Sequence, residues 1–351
     1  MSAFVRAALG VADRSKSRSK QLLRAGLARV FGGLLRWFGY LRLSVRAGGQ
    51  GRGLIHRHWL DIPTYDGNRN VGHPDVLFTP EGFGGWPYWM AYTPFPPDRR
   101  ENPSLVVSDD GVRWQTPAGL INPVVPAADA VAAGYGYNSD PNLLLLPDRR
   151  TLRLYWRYAG GGREAIVYKE SRDGVIWGET VEVLTTAAAA SVLSPTVIAE
   201  SDGTFSMWTV DDREPGPRAV QRRRSRDGID FGDAIPVSTP IARGGPIPWH
   251  IDVIRAAGGH YHAILATRDP YQLLYLESAD GVTFDGGTDY LVPNGLSHGQ
   301  DSHYRSSLVA KPGSDDRFDV WYTNVTGPIW YGEWRIGYWE NAPLGRRGQR
   351  D

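Results

Sequence analysis

The chain repeats one short phrase four times, and this repetition constrains its fold more than any other feature. The phrase is Ser-x-Asp-Gly-x-x-aromatic, and it reads SDDGVRW, SRDGVIW, SRDGIDF and SADGVTF, beginning at residues 108, 171, 225 and 278. Asp-Gly favours a tight turn because glycine adopts a positive φ without steric cost. The aromatic side chain three residues after the glycine is suited to filling the gap between neighbouring sheets. We therefore interpret the phrase as a structural turn and assign it no catalytic role.

A second phrase keeps step with the first and extends the pattern to five units. It reads GHPDVLF, NSDPNLLLL, VLSPTVIA, PWHIDVI and HYRSSLVA, beginning at residues 72, 138, 192, 248 and 303. A second strand pattern with aromatic residues follows each copy, as in YWMAYTP and FDVWYTN. A fixed period of this size indicates a solenoid, a propeller or an array. Short antiparallel strands with aromatic positions favour propeller blades, so we predict an all-β, five-bladed β-propeller.

The first fifty residues differ in charge from the rest of the chain. Ten Lys or Arg against one acid give residues 1–50 a net charge of +9, so the remaining 301 residues must sum to −8 for the total of +1. This mildly acidic body argues against nucleic acid as the main partner. The stretch QLLRAGLARVFGGLLRWFGYLRL places leucines at helical spacing between arginines, which predicts a basic amphipathic helical extension.

The chain is therefore expected to have three parts: a basic helix or leader over residues 1–50, the propeller over 54–342, and a polar tail over 343–351. The helix has no uncharged apolar run of a secretory signal and is too charged to span a membrane. It lies on an anionic membrane surface, packs on its own domain, or is a disordered leader. These alternatives leave the localisation open between the cytoplasm and a membrane surface.

The fifth unit lacks the repeated turn phrase and therefore looks one strand short. An open sheet edge is a hazard that proteins usually cover. We expect residues near 54–62 to pair with the last blade and close the ring.

The five units, the SDP phrase of the second unit and the repeated turns resemble the five-bladed propeller glycosidases of glycoside hydrolase family 43 and its relatives, over roughly residues 60–340. The resemblance implies action on arabinan, xylan, fructan or agar oligosaccharides. In that group an Asp at the start of blade one is the general base, and an Asp at the start of blade two orients and tunes the catalytic acid–base pair. A Glu opening blade three is the general acid, so two carboxyl groups flank the scissile bond.

Only part of this catalytic set is present. Asp140 in SDP stands at the tuning position. His73 occupies the place of the base, and Asp75 follows two residues later on the same face of a strand. Ser194 stands where the acid is expected. A histidine is therefore a candidate acid, because its ordinary pKa lies near neutrality.

The funnel of the propeller is the predicted site, with acid–base chemistry carried by residues near the starts of the innermost strands. The candidate catalytic residues are Asp140, His73, Asp75, His250 and Asp252. The candidate substrate-binding residues are Arg305, Tyr304, Trp249, Trp86, Glu101, Asp211, Glu214 and Asp269, with Trp249 and Trp86 as sugar platforms. The alternative is that these polar residues only satisfy one another around a wet channel.

The leading functional hypothesis is a glycoside hydrolase acting on a polysaccharide or oligosaccharide. The alternative is a non-catalytic glycan-binding propeller tethered to a membrane or an assembly, since a fold alone does not certify catalysis. Neither hypothesis includes a cofactor. No metal site is predicted, because the one His- and Asp-containing loop, GLSHGQDSHYR, is a weak signal. Phosphate-loop, dinucleotide, zinc-protease and nucleophile-elbow motifs are absent from the sequence.

Overall fold

The structure is a computed structural model that describes residues 59–344, apart from gaps at 96–100, 126–135, 161, 187–189, 214–217, 242–244, 269, 292–300 and 330. The segment predicted to be a basic helix and most of the predicted polar tail lie outside these residues. Over the described ranges, no helix is long and apolar enough to cross a membrane.

The described residues form eighteen strands in five antiparallel sheets. Blade one holds β1 (Val71–Phe83), β2 (Trp86–Pro94) and β3 (Ser104–Ser108). Blade two holds β4 (Tyr137–Leu145), β5 (Leu152–Gly160), β6 (Arg163–Ser171) and β7 (Val181–Thr186). Blade three holds β8 (Ala190–Ala199), β9 (Phe205–Arg213), β10 (Ala219–Ser225) and β11 (Ile235–Pro236). Blade four holds β12 (Ile247–Arg255), β13 (Tyr261–Arg268), β14 (Gln272–Ser278) and β15 (Asp285–Tyr290). Blade five holds β16 (Asp301–Ala310), β17 (Arg317–Thr326) and β18 (Glu333–Pro343).

The five sheets form a closed ring, which confirms the predicted all-β, five-bladed propeller. Within each blade, strands adjacent in sequence are paired. The innermost strands are β1, β4, β8, β12 and β16, and each contacts the innermost strand of the next blade, with β16 contacting β1. The cores lie between blades, where apolar residues of neighbouring sheets pack together.

The repeated turn phrase has the structural role that the sequence predicts. In its second copy, Ser171 Oγ accepts the N–H of Gly174 at 2.8 Å, and Asp173 Oδ1 accepts two further backbone N–H groups. Equivalent hydrogen bonds recur in the other three copies. Gly174 has a φ of +76°, and a Cβ at this position would lie 2.1 Å from the Trp89 ring. Glycine is therefore required both for the turn and for the contact with blade one.

The turn also connects neighbouring blades through the carbonyl of its glycine. Trp321 of blade five donates to the Gly111 carbonyl of blade one at 2.9 Å, and Trp208 of blade three donates to the Gly281 carbonyl of blade four at 2.9 Å. A middle-strand aromatic residue thus reaches the turn of the following blade. This contact explains why the aromatic strand pattern and the turn phrase recur in step.

The segment before β1 contributes to closure. The Leu60 N–H donates to the Ile336 carbonyl of β18 at 2.9 Å. Leu60 and Ile62 also pack with Ile336 and Tyr338 in one apolar cluster that includes residues of blade one. The predicted pairing with the last blade is thus present at Leu60, while residues 54–58 lie outside the described ranges.

Candidate functional site

Each innermost strand carries an irregularity at the same place, close to its beginning. In the first three blades the residue at this place has a positive φ: His73 at 53°, Asp140 at 54° and Ser194 at 51°. Each of these residues precedes a proline, which lacks an N–H and so leaves no unpaired donor at the irregularity. A bulge of this kind re-aims a side chain, and strained backbone at non-glycine residues clusters at functional sites.

These irregularities define two rings of side chains around the propeller axis. The upper ring, at the bulges, consists of His73, Asp140, Ser194, His250 and Arg305. The lower ring, two residues later on each strand, consists of Asp75, Asn142, Thr196, Asp252 and Ser307. All ten side chains are buried. The end of the propeller at which the upper ring lies is called the mouth below.

Three members of the upper ring form a compact donor cluster. One ligand atom from each of His73, Asp140 and His250 lies within 4.8 Å of those of the other two. His73 Nε2 is 3.5 Å from Asp140 Oδ1, and His250 Nδ1 is 3.6 Å from the same oxygen. Ligands about 2.1 Å from a tetrahedral metal ion lie about 3.4 Å apart. The cluster therefore has the donor types of a three-residue site for a divalent ion such as zinc, with its donor atoms within 4.8 Å of one another.

Both histidines of this cluster are held in the same way. His73 Nδ1 is hydrogen-bonded to Thr93 Oγ1 at 2.6 Å, and His250 Nδ1 is hydrogen-bonded to Ser194 Oγ. His250 Nε2 is buried and has no hydrogen-bond partner within the described part of the chain. A metal-ligating histidine normally has its other ring nitrogen held by an oxygen, which fixes the tautomer and the ring orientation. The two hydroxyl groups thus leave both Nε2 atoms for a ligand.

The electrostatic environment favours the protonation states that bind a cation. Burial lowers the pKa of His250 well below its usual range, so this imidazole is neutral at neutral pH. Burial alone would raise the pKa of Asp140, but the imidazoles and buried arginines around it outweigh this and hold the pKa below its ordinary value. Asp140 is therefore ionised. A neutral imidazole and an ionised carboxylate are the forms required for metal binding.

Glu101 brings a second carboxylate to the cluster from the connection between β2 and β3. Its Oε2 lies 3.1 Å from His73 Nδ1. This oxygen is buried and lacks a hydrogen-bond partner among the described residues, because Nδ1 is bonded to Thr93 instead. Glu101 is thus a carboxylate at the mouth with an oxygen available for proton transfer.

Aromatic rings cover one side of the donor cluster. The Tyr304 ring lies edge-on to both histidine rings, with centroids 5.2 Å from His73 and 4.6 Å from His250. Trp249 lies 5.7 Å from His250, and Trp334 lies 5.0 Å from Tyr304. The structure therefore brings the predicted residues Tyr304 and Trp249 to the site, together with Trp334, which is not among the predicted residues.

Arg305 completes the upper ring. Its side chain is 1% exposed, and Nε, Nη1 and Nη2 have no hydrogen-bond partner in the described ranges. The Asp75 carboxylate is 3.7 Å from Nη2. A buried guanidinium without hydrogen bonds is costly, so these donors are available to a ligand or to water in the channel.

The lower ring joins neighbouring blades. Asp75 accepts the Leu143 N–H of blade two at 2.6 Å, and Asp252 accepts the Leu308 N–H of blade five at 2.8 Å. Asn142 and Ser307 accept backbone N–H groups of the next blade in the same way. Burial, followed by the Asp75 carboxylate, raises the pKa of Asp252 to about 7. Asp75 and Asp252, which the sequence predicts to be catalytic, therefore lie one layer below the donor cluster, and each accepts a backbone N–H.

The remaining predicted residues lie elsewhere or are not described. Trp86 begins β2 at the turn after β1, opposite Phe83, so it lies at the end of the propeller away from the mouth, and its proposed place at the funnel is wrong. Asp211 is buried in an ion pair with Arg223 at 2.9 Å rather than presented to a substrate. Glu214 and Asp269 lie outside the described residues.

Every member of the donor cluster is among the residues predicted from the sequence, where the three residues are candidate proton-transfer groups. The hydroxyl partners that hold the histidines, Thr93 and Ser194, are not predicted from the sequence. A signal for Ser194 was present, because LSP stands in register with HPD and SDP.

No protein-family profile matches the chain. One curated relative, the A type blood N-acetyl-alpha-D-galactosamine deacetylase of Flavonifractor plautii, is 29% identical over an alignment 362 positions long; the alignment covers 80% of this chain and 46% of that protein. The chain thus spans about half the length of this relative.

Solved structures share the fold. The crystal structure of an N-acetylgalactosamine deacetylase from F. plautii, in complex with blood group B trisaccharide, has a TM-score of 0.73 at 25% identity and covers 82% of this chain and 95% of that chain. A thermostable family-43 glycoside hydrolase has a TM-score of 0.56 at 14% identity and covers 76% and 88% of the two chains. The five-bladed propeller of family-43 glycosidases is therefore the fold of this protein, and a carbohydrate deacetylase shares it.

Proposed function

We propose that this propeller is a metal-dependent hydrolase that removes the acetyl group from an N-acetylated sugar residue of a glycan. The observation that carries the proposal is the cluster of His73, Asp140 and His250, whose donor atoms lie within 4.8 Å of one another. The hydroxyl partners of the two histidines are the second feature in its favour. The similarity to proteins whose names describe N-acetylgalactosamine deacetylases supports the same reaction class.

The site fits a two-carboxylate glycosidase less well. Ser194 stands where the general acid of the family-43 glycosidases is expected, and it is bonded to His250. The two lower-ring aspartates hold backbone N–H groups of neighbouring blades. Asp140 and Glu101 remain as carboxylates at the mouth, and each lies against a different nitrogen of the His73 ring, Asp140 at Nε2 and Glu101 at Nδ1. A glycosidase needs carboxyl groups on opposite sides of the scissile bond.

Deacetylation requires an oxygen of water to bond to the acetyl carbon while the carbon–nitrogen bond breaks, giving acetate and an amino sugar. A divalent ion held by His73, Asp140 and His250 would polarise the amide carbonyl and lower the pKa of a bound water. Thr93 and Ser194 hold the imidazole rings so that Nε2 of each is directed to the ligand. Asp140 remains ionised and supplies the one negative charge of the donor set.

Two further residues have roles in this proposal. Glu101 accepts the proton of the attacking water and returns it to the amide nitrogen as that nitrogen leaves, since its Oε2 is available beside His73. Arg305, with three nitrogen atoms lacking partners in the described residues, offers positive charge to the carbonyl oxygen as negative charge develops there. The aromatic wall formed by Tyr304 and Trp334 excludes water from one side of the site.

The test measures two products in parallel. The full chain is stripped of metal with a chelator and reloaded with Zn²⁺, Mn²⁺ or Mg²⁺. Acetate and new reducing ends are then quantified with N-acetylgalactosamine- and N-acetylglucosamine-terminated oligosaccharides and with arabino- and xylo-oligosaccharides. We expect metal-dependent acetate release without new reducing ends. Asp140→Asn should reduce acetate release by about 10²-fold or more.

The matched control is Asp202→Asn, which changes an exposed aspartate at the turn between β8 and β9, away from the mouth. This variant should retain full acetate release. New reducing ends without acetate would establish a glycosidase and overturn the proposal. Saturable glycan binding without either product would establish the non-catalytic binding propeller.

A further inference from the structure

Glu164 of blade two reaches across to the beginning of blade three. Its Oε2 accepts the Ser191 hydroxyl at 2.8 Å and the Val192 N–H at 3.1 Å, and both of these residues lie in β8, the first strand of blade three. Glu164 itself belongs to β6, the third strand of blade two. The carboxylate therefore ties an outer strand of one blade to the first strand of the next.

Arg157 of β5 fixes the position of this carboxylate. Its Nη2 donates to Glu164 Oε1 at 2.6 Å and its Nε donates to Oε2 at 3.1 Å, so the two side chains form a bidentate ion pair. The guanidinium carbon also lies 5.2 Å from the Tyr137 ring centroid, and the Arg157 side chain is 9% exposed. Bidentate pairing adds geometric specificity to the attraction, so Glu164 presents Oε2 to β8 in a defined place.

The tie lies close to the residue that contacts two of the three members of the donor cluster. Ser194, two residues after Val192, donates its N–H to Asp140 Oδ2 at 3.0 Å, and its hydroxyl is bonded to His250 Nδ1. A displacement of Ser194 would therefore move a hydrogen-bond partner of the carboxylate and of one imidazole together. Partners of this kind orient the ligands of a metal site and tune its affinity.

The ladder between β8 and β9 does not hold Ser194, which lies where the pairing of the two strands is interrupted. The following residue, Pro195, has no N–H to donate. The next tie from blade two is at Val197, whose N–H donates to Asn142 Oδ1 at 2.9 Å. The bulge at Ser194 is thus held between two ties from blade two, Glu164 on the mouth side and Asn142 on the other.

Corresponding ties in two other blades use neutral groups. Each is made by the N–H two residues before the upper ring. The Asn138 N–H of blade two donates to the Glu101 carbonyl of blade one at 2.9 Å, and the His303 N–H of blade five donates to the Tyr271 carbonyl of blade four at 3.2 Å. Blade three instead uses a carboxylate held by an arginine. A charge-assisted hydrogen bond is about twice as strong as a neutral one, so this tie is the strongest of the three.

We propose that Glu164 is a positioning residue of the donor cluster. Together with Arg157 it fixes the beginning of β8 and so sets the place of the Ser194 hydroxyl, which orients His250. The proposal rests on the proposed metal-dependent function, in which His250 presents Nε2 to the ion. Glu164 acts through Ser194 and is not itself a ligand.

The experiment measures Zn²⁺ affinity by titration calorimetry on the metal-stripped full chain. Glu164→Gln keeps the size of the side chain but removes the charge that pairs with Arg157, and it should weaken Zn²⁺ binding by about 10-fold. Because Glu164 acts through Ser194, the double variant of Glu164→Gln and Ser194→Ala should bind Zn²⁺ no more weakly than Ser194→Ala alone. Changes along one chain of contacts are not additive.

Glu200→Gln is the matched control. Glu200 is also buried and pairs with an arginine, Arg222, at 2.9 Å, but it follows the end of β8 that is opposite the mouth. Both variants should lower Tm, because each leaves a buried guanidinium without its counter-charge. Only Glu164→Gln should weaken Zn²⁺ binding, whereas Glu200→Gln should stay within about twofold of the wild type. This difference separates positioning from general loss of stability.

A milder change is available if Glu164→Gln fails to fold. Ser191→Ala removes one of the two hydrogen bonds between Glu164 and β8 and keeps the ion pair with Arg157. It should weaken Zn²⁺ binding by about threefold, the scale of one net hydrogen bond. The ring nitrogen chemical shifts of His250 in the metal-free chain give a second readout. Either variant should move these shifts in the same direction as Ser194→Ala does.

The outcomes separate the positioning role from the proposed function. In a wild type that binds Zn²⁺, unchanged affinity in the Glu164 and Ser191 variants, or additive losses in the double variant, would overturn the positioning role and leave the deacetylase function standing. A wild type that binds no metal would overturn the metal-dependent function, and the His250 shifts would then decide: a response to Glu164→Gln or Ser191→Ala supports the positioning role, and unchanged shifts overturn it.

Discussion

Replacing Gly174 by alanine tests how the repeated turn holds neighbouring blades together. The new Cβ would lie 2.1 Å from one carbon of the Trp89 ring and 2.7 Å from a second. Alanine would also have to adopt the φ of +76° that glycine has there. The substitution therefore adds a steric clash to backbone strain.

The two costs can be separated because the chain offers a matched control. Gly203 has a φ of +81° with nothing within 4 Å of the position of its Cβ, so Gly203→Ala adds strain alone. Left-handed backbone costs a non-glycine residue about 1–2 kcal/mol, and overpacking costs about 1–3 kcal/mol more. We expect Gly174→Ala to lower the free energy of unfolding by about 2–5 kcal/mol and Gly203→Ala by about 1–2 kcal/mol.

Thermal unfolding followed by circular dichroism measures the difference. For a domain of this size a change of 1 kcal/mol shifts Tm by about 2 °C. The expected shift is about 4–10 °C for Gly174→Ala and about 2–4 °C for Gly203→Ala. Equal shifts for the two variants would show that the turn glycine is needed only for its backbone conformation, which would refute the inter-blade contact as a source of stability.

Three further predictions follow from the rings and the turns. Asp75→Ala removes the acceptor for a backbone N–H of the next blade and the carboxylate nearest Arg305, so it should cost about 3–5 kcal/mol of stability in denaturant unfolding; an unchanged midpoint would contradict the proposed role of the lower ring. Ser194→Ala removes the hydroxyl that holds His250 and should weaken metal affinity about 10-fold or more, with Ser194→Thr retaining more affinity by titration calorimetry. Burial alone would raise the pKa of Asp110, but hydrogen bonds from the turn backbone outweigh it and lower this pKa to about 2. The contribution of Asp110 to stability is therefore present above the unfolded pKa of about 3.9 and should be lost as pH falls towards 2. Asp110→Asn should flatten the dependence of Tm on pH in that range.

The fold was predictable because the sequence contains five repeat units, each with the strand pattern of one blade. The turn phrase and the inner-strand phrase recur in register, and one strand pattern repeated around an axis has few three-dimensional solutions. The same register predicted that His73, Asp140 and His250 would meet, and they do. Repetition carries this information because equivalent positions on successive blades face the same channel.

The depth of each residue along the channel was not predictable from periodicity. Asp75 and His73 lie on the same strand two residues apart, yet they belong to different layers with different partners. Three of the five upper-ring residues, His73, Asp140 and Ser194, have a positive φ at the bulge, whereas the lower-ring side chains bond to the backbone of the neighbouring blade. Trp86 was misplaced for a related reason: a tryptophan in a glycine-rich turn gives no sign of which end of the propeller that turn occupies.

Metal stoichiometry tests the central claim most directly. The purified full chain is dialysed against Zn²⁺ and then against buffer without metal, and the bound metal is counted by mass spectrometry for the wild type, for Asp140→Asn and for the exposed-site control Asp202→Asn. The account predicts about one ion per chain in the wild type and the control, as expected for a three-residue protein site, with that ion lost in Asp140→Asn. Equal metal content in all three proteins, or no bound metal in the wild type, would contradict it.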